Sequence, residues 1–310
     1  MNKEKNFISA VIYIHNAENK IDNFLRAIIS KLEENFEHSE IICVNDYSED
    51  NSQSAIKVAS DAATSTSITV INMSYFHGLE IAMGAGVDLA IGDYVYEFDN
   101  VNLNYDANEI LKLYQYSLNG FDIVSASPDL KDKLTSKMFY NVFSKATHVT
   151  YRIGTENFRI LSRRAINRIH STNKSVPYRR AAYQNSGLKI LNIKYITQYT
   201  DAGTVDKREQ KYRITLAVNS LVMFTDLGYR FSISMTIIMM FISISMFVYS
   251  LSIYFMAHPI AGWTTIILFL SVAFCGLFGV LTIAIKYLQL LVDLVFKRKQ
   301  YSFETIEKIK

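Results

Sequence analysis

The sequence predicts an α/β domain with a Rossmann-like, mostly parallel sheet, followed by two transmembrane helices. Three observations carry that reading. Over the first half of the chain, short apolar runs ending in polar loops alternate with segments of helical periodicity, the pattern of strand-helix-strand crossovers. One of those runs, inside Gly92–Asn102, ends in a cluster of Asp and Asn, at the carboxyl strand edge where open α/β sheets place their ligands. Two stretches, Phe231–Met256 and Thr264–Ile285, contain no charged residue, and each exceeds the roughly 20 residues a helix needs to cross a bilayer.

The elements follow in order. Phe7–Ile14 is an apolar run closing on the polar His15-Asn16-Ala17-Glu18-Asn19, a strand and its loop. Ile21, Phe24, Leu25, Ile28, Ile29 and Leu32 recur at helical spacing up to Phe36. Glu40–Val44 is a second buried strand ending in Asn45-Asp46-Tyr47-Ser48-Glu49-Asp50-Asn51, where Ser48 or Asp50 can cap a helix reaching Val58. A third strand, Ile68–Met73, leads through Ser74-Tyr75-Phe76-His77-Gly78 to a small-residue helix over Leu79–Ala90, and then to the strand ending at Asp99. Further strands are predicted at Phe121–Ala126 and Lys189–Ile196, with a helix over Leu134–His148 and an arginine-dense segment over Tyr151–Arg168. Arg208–Gly228 has one apolar face and a basic start, which fits a helix in the membrane interface or an ordinary packing helix.

The two charge-free stretches are joined by the short loop 257–262, with Tyr254 and Trp263 placed as interfacial aromatics. Lys207, Arg208, Lys211, Arg213 and Arg230 precede the first stretch, while Lys286, Lys297, Arg298 and Lys299 follow the second. The loop between them has no basic residue, so both termini are expected on the cytoplasmic side. Met1–Asn6 is polar and lacks the apolar core of a cleaved signal, which fits a cytosolic first domain. The expected location is the inner, or plasma, membrane of a bacterial-type cell. The domains so drawn are residues 1–205, a juxtamembrane helix over 206–229, a helical hairpin over 230–288 and a charged, solvated tail over 289–310. A formal net charge of +3 gives no reason to expect a nucleic-acid partner. The two cysteines, Cys43 and Cys275, have neither metal-ligand nor disulfide spacing.

The candidate site gathers where strand ends converge. Asn16 with Glu18, Asn45 with Asp46, and Asp99 with Asn100 all fall on loops at one carboxyl edge. Asp99 there either caps the following turn or holds a hard cation against a diphosphate, since Mg²⁺ and Mn²⁺ are bound by one or two carboxylates together with substrate phosphates. Arg159, Arg163 and Arg164 offer guanidinium forks suited to phosphate, against a reading in which the later arginines form a solvated helix face. Glu156 and Asp201 are candidate bases, or else ordinary loop carboxylates.

The order of these motifs resembles the inverting family 2 glycosyltransferases of the GT-A fold. The resemblance is to their membrane-anchored branch, which includes dolichol-phosphate mannose synthases and bacterial polyprenyl-phosphate glycosyltransferases. The matching segments are Tyr13-Ile14-His15-Asn16-Ala17-Glu18, Val44-Asn45-Asp46-Tyr47-Ser48-Glu49-Asp50 and His77-Gly78 through Ala82 to Gly86. They continue with Gly92-Asp93 onward to Asp99-Asn100-Val101, Phe158-Arg159-Ile160-Leu161-Ser162-Arg163, Gly262-Trp263, and the tail from Tyr301 to Ile309.

The resemblance implies a nucleotide-sugar donor bound near His15, Asn16, Glu18, Asn45, Asp46, His77, Gly78 and Asn100, with its diphosphate on a divalent cation at Asp99. It implies a polyprenyl-phosphate or other lipid-linked acceptor, with Arg159, Arg163 and Arg164 on the acceptor phosphate, Asp99, Arg159 and Glu156 in catalysis, and a homo-oligomer. The departures are equally specific. Val101 stands where the family has its second metal-binding Asp, Asn45 replaces another acid, Tyr13 replaces a proline, and the arginines usual after the fifth strand are missing around Ser127-Pro128-Asp129. These departures imply weak metal binding or an unusual donor, and they admit a non-catalytic scaffold as an alternative.

Overall fold

The computed structural model describes residues 3–129, 156–172, 179–184, 186–198 and 303–308, together with single helical positions between 234 and 291. The chain divides into two units, one of Met1–Leu216 with Arg298–Lys310 and the other of Ala217–Lys297. The predicted spans, the interface helix and the helix over 134–148 fall almost wholly outside the described residues. Among the described residues no helix is long and apolar enough to cross a membrane.

The first unit is built on strands β1 (Ile8–Ile14), β2 (Ser39–Asn45), β3 (Ser67–Met73), β4 (Tyr94–Phe98), β5 (Ile123–Pro128), β6 (Phe158–Ser162), β7 (Ile190–Tyr195) and β8 (Phe303–Lys308). Their order in the one sheet is β7-β5-β6-β4-β1-β2-β3-β8. The pairs β1·β2, β1·β4, β2·β3 and β5·β7 are parallel, whereas β6 runs antiparallel to both β4 and β5, and β8 antiparallel to β3. The mostly parallel sheet expected from the alternating pattern is therefore present. The tail is different from expectation: residues 303–308, read as solvated, form β8. Phe303, Thr305 and Ile306 are strand-favouring residues that charge counting hides, and β3 would otherwise be an open edge. Phe303 pairs with Met73, so β8 enters at the carboxyl edge of β3.

Helices α1 (Glu18–Asn35), α2 (Ser52–Ser60) and α4 (Asn108–Leu118) cover one face, and α3 (Leu79–Leu89), α5 (Arg163–Thr172) and α6 (Arg179–Gln184) contribute to the other. Side chains alternate along each strand. In β1, Ile8, Ala10, Ile12 and Ile14 join the core beneath α1, α2 and α4, while Val11 joins the core beneath α3. Helices α1 and α2 cap one another. Ser52 Oγ accepts from the Ala17 amide at 2.8 Å, Asp50 Oδ2 accepts from the Glu18 amide at 3.0 Å, and Glu18 Oε2 accepts from the Asn51 amide at 3.0 Å. Carboxylates at both helix starts also suit the helix dipoles.

Helix α3 lies close on β1 and β2 because Gly86 faces them. A Cβ there would fall on Val11 Cγ1 and within 2.7 Å of Val44 Cγ2. Gly86→Ala is expected to destabilise the unit by about 1–3 kcal/mol, the usual effect of overpacking a filled core. Chemical denaturation followed by circular dichroism checks this; an unchanged midpoint would mean that the helix is less closely seated.

Candidate functional site

The carboxyl edge of the sheet holds two groups of polar side chains. The first surrounds Asp46, fully buried where β2 ends. Its Oδ1 accepts from the His77 amide at 2.8 Å, and its Oδ2 accepts from the Gly78 amide at 2.8 Å and the Tyr13 hydroxyl at 3.0 Å. Asp46 thereby ties the ends of β1 and β2 to the start of α3. His15 Nδ1 lies 2.7 Å from the Asp46 carbonyl oxygen, Asn16 Oδ1 accepts from the Glu49 amide at 2.9 Å, and Asn45 Nδ2 donates to Asn72 Oδ1 at 2.9 Å. Asn16 and Tyr47 have positive φ, 47° and 54°. Asn tolerates that region, whereas a bulky Tyr adopts it rarely and such strain concentrates at functional loops. Aromatic rings line this end: Tyr75 stacks on His77 with centroids 3.9 Å apart, and His15 meets Phe76 at 4.8 Å. Tyr47 and Tyr75 are both exposed.

The second group is a buried ion-pair network centred on Asp99. Glu97 and Asp99 point to the same face by the two-residue period of β4, and Arg159 of β6 stands directly opposite Glu97. Arg159 Nη1 donates to Glu97 Oε2 at 2.6 Å, and its Nη2 donates to Asp99 Oδ2 at 2.6 Å. Arg179 Nε donates to Glu80 Oε2 at 3.0 Å and Nη2 to Asp99 Oδ1 at 2.9 Å, while Nη1 approaches Glu97 Oε2 at 2.8 Å without hydrogen-bond alignment. Arg180 Nη2 donates to Asp99 Oδ2 at 3.1 Å and to the Glu156 carbonyl at 2.7 Å. The Tyr183 hydroxyl donates to Glu97 Oε1 at 2.6 Å, and Arg159 Nε lies 3.5 Å from Glu156 Oε2. Burial by itself would raise the Asp99 pKa, but Arg159, Arg179 and Arg180 more than offset it and hold the carboxyl well below the usual range. The Arg159 guanidinium is held above its ordinary value, burial opposing and Asp99, Glu97 and Glu156 prevailing.

Asp99, Arg159 and Glu156 thus come together as the sequence suggested. Arg163 and Arg164 do not join them. Because β6 runs antiparallel to β4, they emerge at the opposite, amino edge, where Arg163 donates to the Ala90 and Gly92 carbonyls and Arg164 pairs with Asp122 at 2.8 Å. Arg163 closes the turn into β4, and Arg164 fastens α5 to the start of β5. Glu18 is engaged in helix capping, and Asn100 Oδ1 accepts from the Asn102 amide at 2.9 Å within its own loop. Asp201 lies outside the described residues. Sequence reading missed Glu80, Glu97, Arg179, Arg180 and Tyr183. Glu97 was readable as a charge inside an apolar strand at the period of Asp99; Arg179 and Arg180, some 80 residues on, gave no local signal.

A divalent cation does not fit this donor set. Both Asp99 oxygens are bonded by guanidiniums, and Val101, two residues on, is buried in the apolar core.

Residues 9–187, more than half of the chain, match the glycosyl transferase family 2 domain. The chain belongs to that family. Among curated relatives, an uncharacterized glycosyltransferase of Synechocystis is 31% identical over 169 residues, 52% of each chain. The uncharacterized glycosyltransferase YkcC of Bacillus subtilis is 24% identical over 70% of this chain and 68% of its own. An undecaprenyl-phosphate 4-deoxy-4-formamido-L-arabinose transferase of Proteus mirabilis is 30% identical over 46% of this chain and 44% of its own. The chain therefore spans about half the length of the first of these relatives. Among solved structures, glucosyl-3-phosphoglycerate synthase of Mycobacterium tuberculosis, in complex with Mn²⁺, UDP and phosphoglyceric acid, superposes with a TM-score of 0.52 at 15% identity, covering 72% of this chain and 81% of that one. That likeness shows the GT-A-like α/β fold for this family 2 chain.

Removing Arg159 would take away one of the two guanidiniums that Glu97 and Asp99 share in the interior, leaving Arg179 alone between them. Arg159→Met is expected to destabilise the family 2 domain by about 3–5 kcal/mol, the usual cost of breaking a buried ion pair from one side. The wild-type domain should also lose stability as pH falls below about 4, because a carboxyl with a depressed folded pKa contributes above its unfolded value and loses that contribution on protonation. Denaturant titrations of both proteins from pH 7 to pH 3 test the two statements; a variant as stable as wild type would remove the network from the fold's supports.

Proposed function

We propose that this chain is a membrane-anchored glycosyltransferase that moves a sugar from a nucleotide-sugar donor to a lipid-linked acceptor, a polyprenyl phosphate such as undecaprenyl phosphate, for cell-surface polysaccharide or glycolipid synthesis. The observation that carries this reading is the convergence, in a family 2 domain, of the strand-end loops around Asp46 with the Asp99 network on one sheet edge. The base would lie by the aromatic rings of Tyr75 and His77 near Asp46, with the diphosphate reaching toward Asp99 and its arginines.

The acceptor assignment draws on the undecaprenyl-phosphate transferases among the relatives. It also agrees with the chemistry of the site. A phosphate monoester is already an anionic nucleophile and requires no general base. Its oxygen forms the new bond to the anomeric carbon while the bond from that carbon to the donor diphosphate breaks, and the electron pair leaves with the nucleoside diphosphate. Attack from the face opposite the leaving group inverts the configuration. Were the acceptor a glycan hydroxyl, Glu156 would be the carboxylate placed to take its proton.

Membrane anchoring rests on the two charge-free stretches. The segment containing them leaves the sheet after β7, at the end where Tyr195 pairs with Pro128, and rejoins it at Phe303 beside Met73. Both attachments lie at the carboxyl edge, the edge of the site. A membrane anchor in that segment would keep the chain in the same membrane as a lipid-linked acceptor, and a homo-oligomer belongs to the same proposal.

Incubating the detergent-purified full chain with radiolabelled UDP- and GDP-sugars and undecaprenyl phosphate, with product lipids separated by chromatography, tests the reading. A labelled lipid should form from one donor, and Asp99→Asn should cut kcat about 10²-fold or more, the scale set by losing one preorganised electrostatic contact. No transfer from any donor by a folded protein, with nucleotide binding unaffected by Asp99→Asn, would favour the non-catalytic scaffold that Val101 and Asn45 otherwise suggest.

A further inference from the structure

The ligands of Asp99 point to an unexpected source of positive charge. A cation on this carboxylate needs at least one open oxygen and, as a rule, further oxygen ligands nearby. Asp99 Oδ2 carries Arg159 and Arg180, and Oδ1 carries Arg179. Glu97 is no substitute, with Oε2 on Arg159 and Oε1 on Tyr183, and the position two residues after Asp99 is the buried Val101. In the layer beneath, Arg159 and Arg179 are offset by Glu97 and Glu80. Arg180 is the most exposed of the three, its side chain 15% exposed against 0% for Arg159 and 5% for Arg179.

We infer that Arg180, seated by Asp99 and backed by Arg159 and Arg179, takes the place of a divalent cation in neutralising the donor's leaving diphosphate, and that Asp99 is a positioning residue and not a metal ligand. The inference rests on the donor-site reading above. A guanidinium carries five N–H donors in a plane that matches two phosphate oxygens; Arg180 Nη2 is shared between Asp99 and the Glu156 carbonyl, and a diphosphate oxygen would join or replace these contacts. As the bond from the anomeric carbon to the diphosphate oxygen breaks, its electron pair stays with the nucleoside diphosphate, and the added charge is met by Arg180. The substitution of Val101 for a metal-binding acid then has a physical reason: a carboxylate there would have no cation to bind.

Two measurements on the full chain in detergent decide this. Manganese EPR with Mn²⁺ alone should show only the hydrated ion; a bound signal that Asp99→Asn abolishes would overturn the inference directly. Calorimetric titration with UDP and with GDP should give one nucleotide the same Kd in EDTA as in Mn²⁺. Arg180→Gln should weaken that Kd about tenfold, the scale of one charge-assisted hydrogen bond, in a variant that circular dichroism shows to be folded at the titration temperature, with Arg180→Lys falling between. Binding that requires Mn²⁺ would overturn the inference while leaving the donor site standing. Binding of neither nucleotide to folded protein would overturn both.

Discussion

The β4 side of the carboxyl edge depends on one carboxylate held by three guanidiniums. Asp99 alone, at the end of a buried strand, would be driven toward its neutral form by desolvation. Arg159, Arg179 and Arg180 keep it ionised, and in doing so they fix the ends of β4, β6 and α6 against each other. Such a network is weak evidence for net stability, because desolvating the charges costs about as much as pairing them returns. Its larger effect is geometric: few arrangements satisfy Glu80, Glu97, Asp99 and three arginines together, so the guanidiniums are delivered to the crevice in one disposition.

The sheet places this cluster beside a second one. Parallel β1, β2 and β3 end together, which sets Asp46 and the aromatic loops next to the end of β4. Antiparallel β6 then brings Arg159 and Glu156 in from the far side of β4. The same reversal sends Arg163 and Arg164 to the opposite edge, where they serve as fasteners. A strand direction thus separates the arginine of the Asp99 network from two that fasten the amino edge, only a few residues away.

Much of this was legible in the sequence. The apolar runs from Phe7, Glu40 and Ile68 have the length and composition of buried strands, and the helical spacing from Ile21 to Leu32 reproduces the buried face of α1. Asp99 was legible because Asp and Asn end a strand and because an open sheet gathers strand ends at one edge. The contacts of Asp99 were not, since they come from residues 60 to 80 positions away whose pairing only the topology defines. The strand in the tail was missed because the charges around it suggest solvent and hide the strand-favouring Phe303, Thr305 and Ile306 of a segment that pairs along the edge of β3.

The most direct test of the account is a structure of the full chain with a bound nucleoside diphosphate, UDP or GDP, whichever the protein binds. The base should lie at the Asp46 end of the sheet edge and a diphosphate oxygen within hydrogen-bonding reach of the Arg180 guanidinium, with Asp99 still bonded to its arginines. A nucleotide bound away from this edge, or Asp99 stripped of its guanidiniums and coordinating a metal ion, would contradict it.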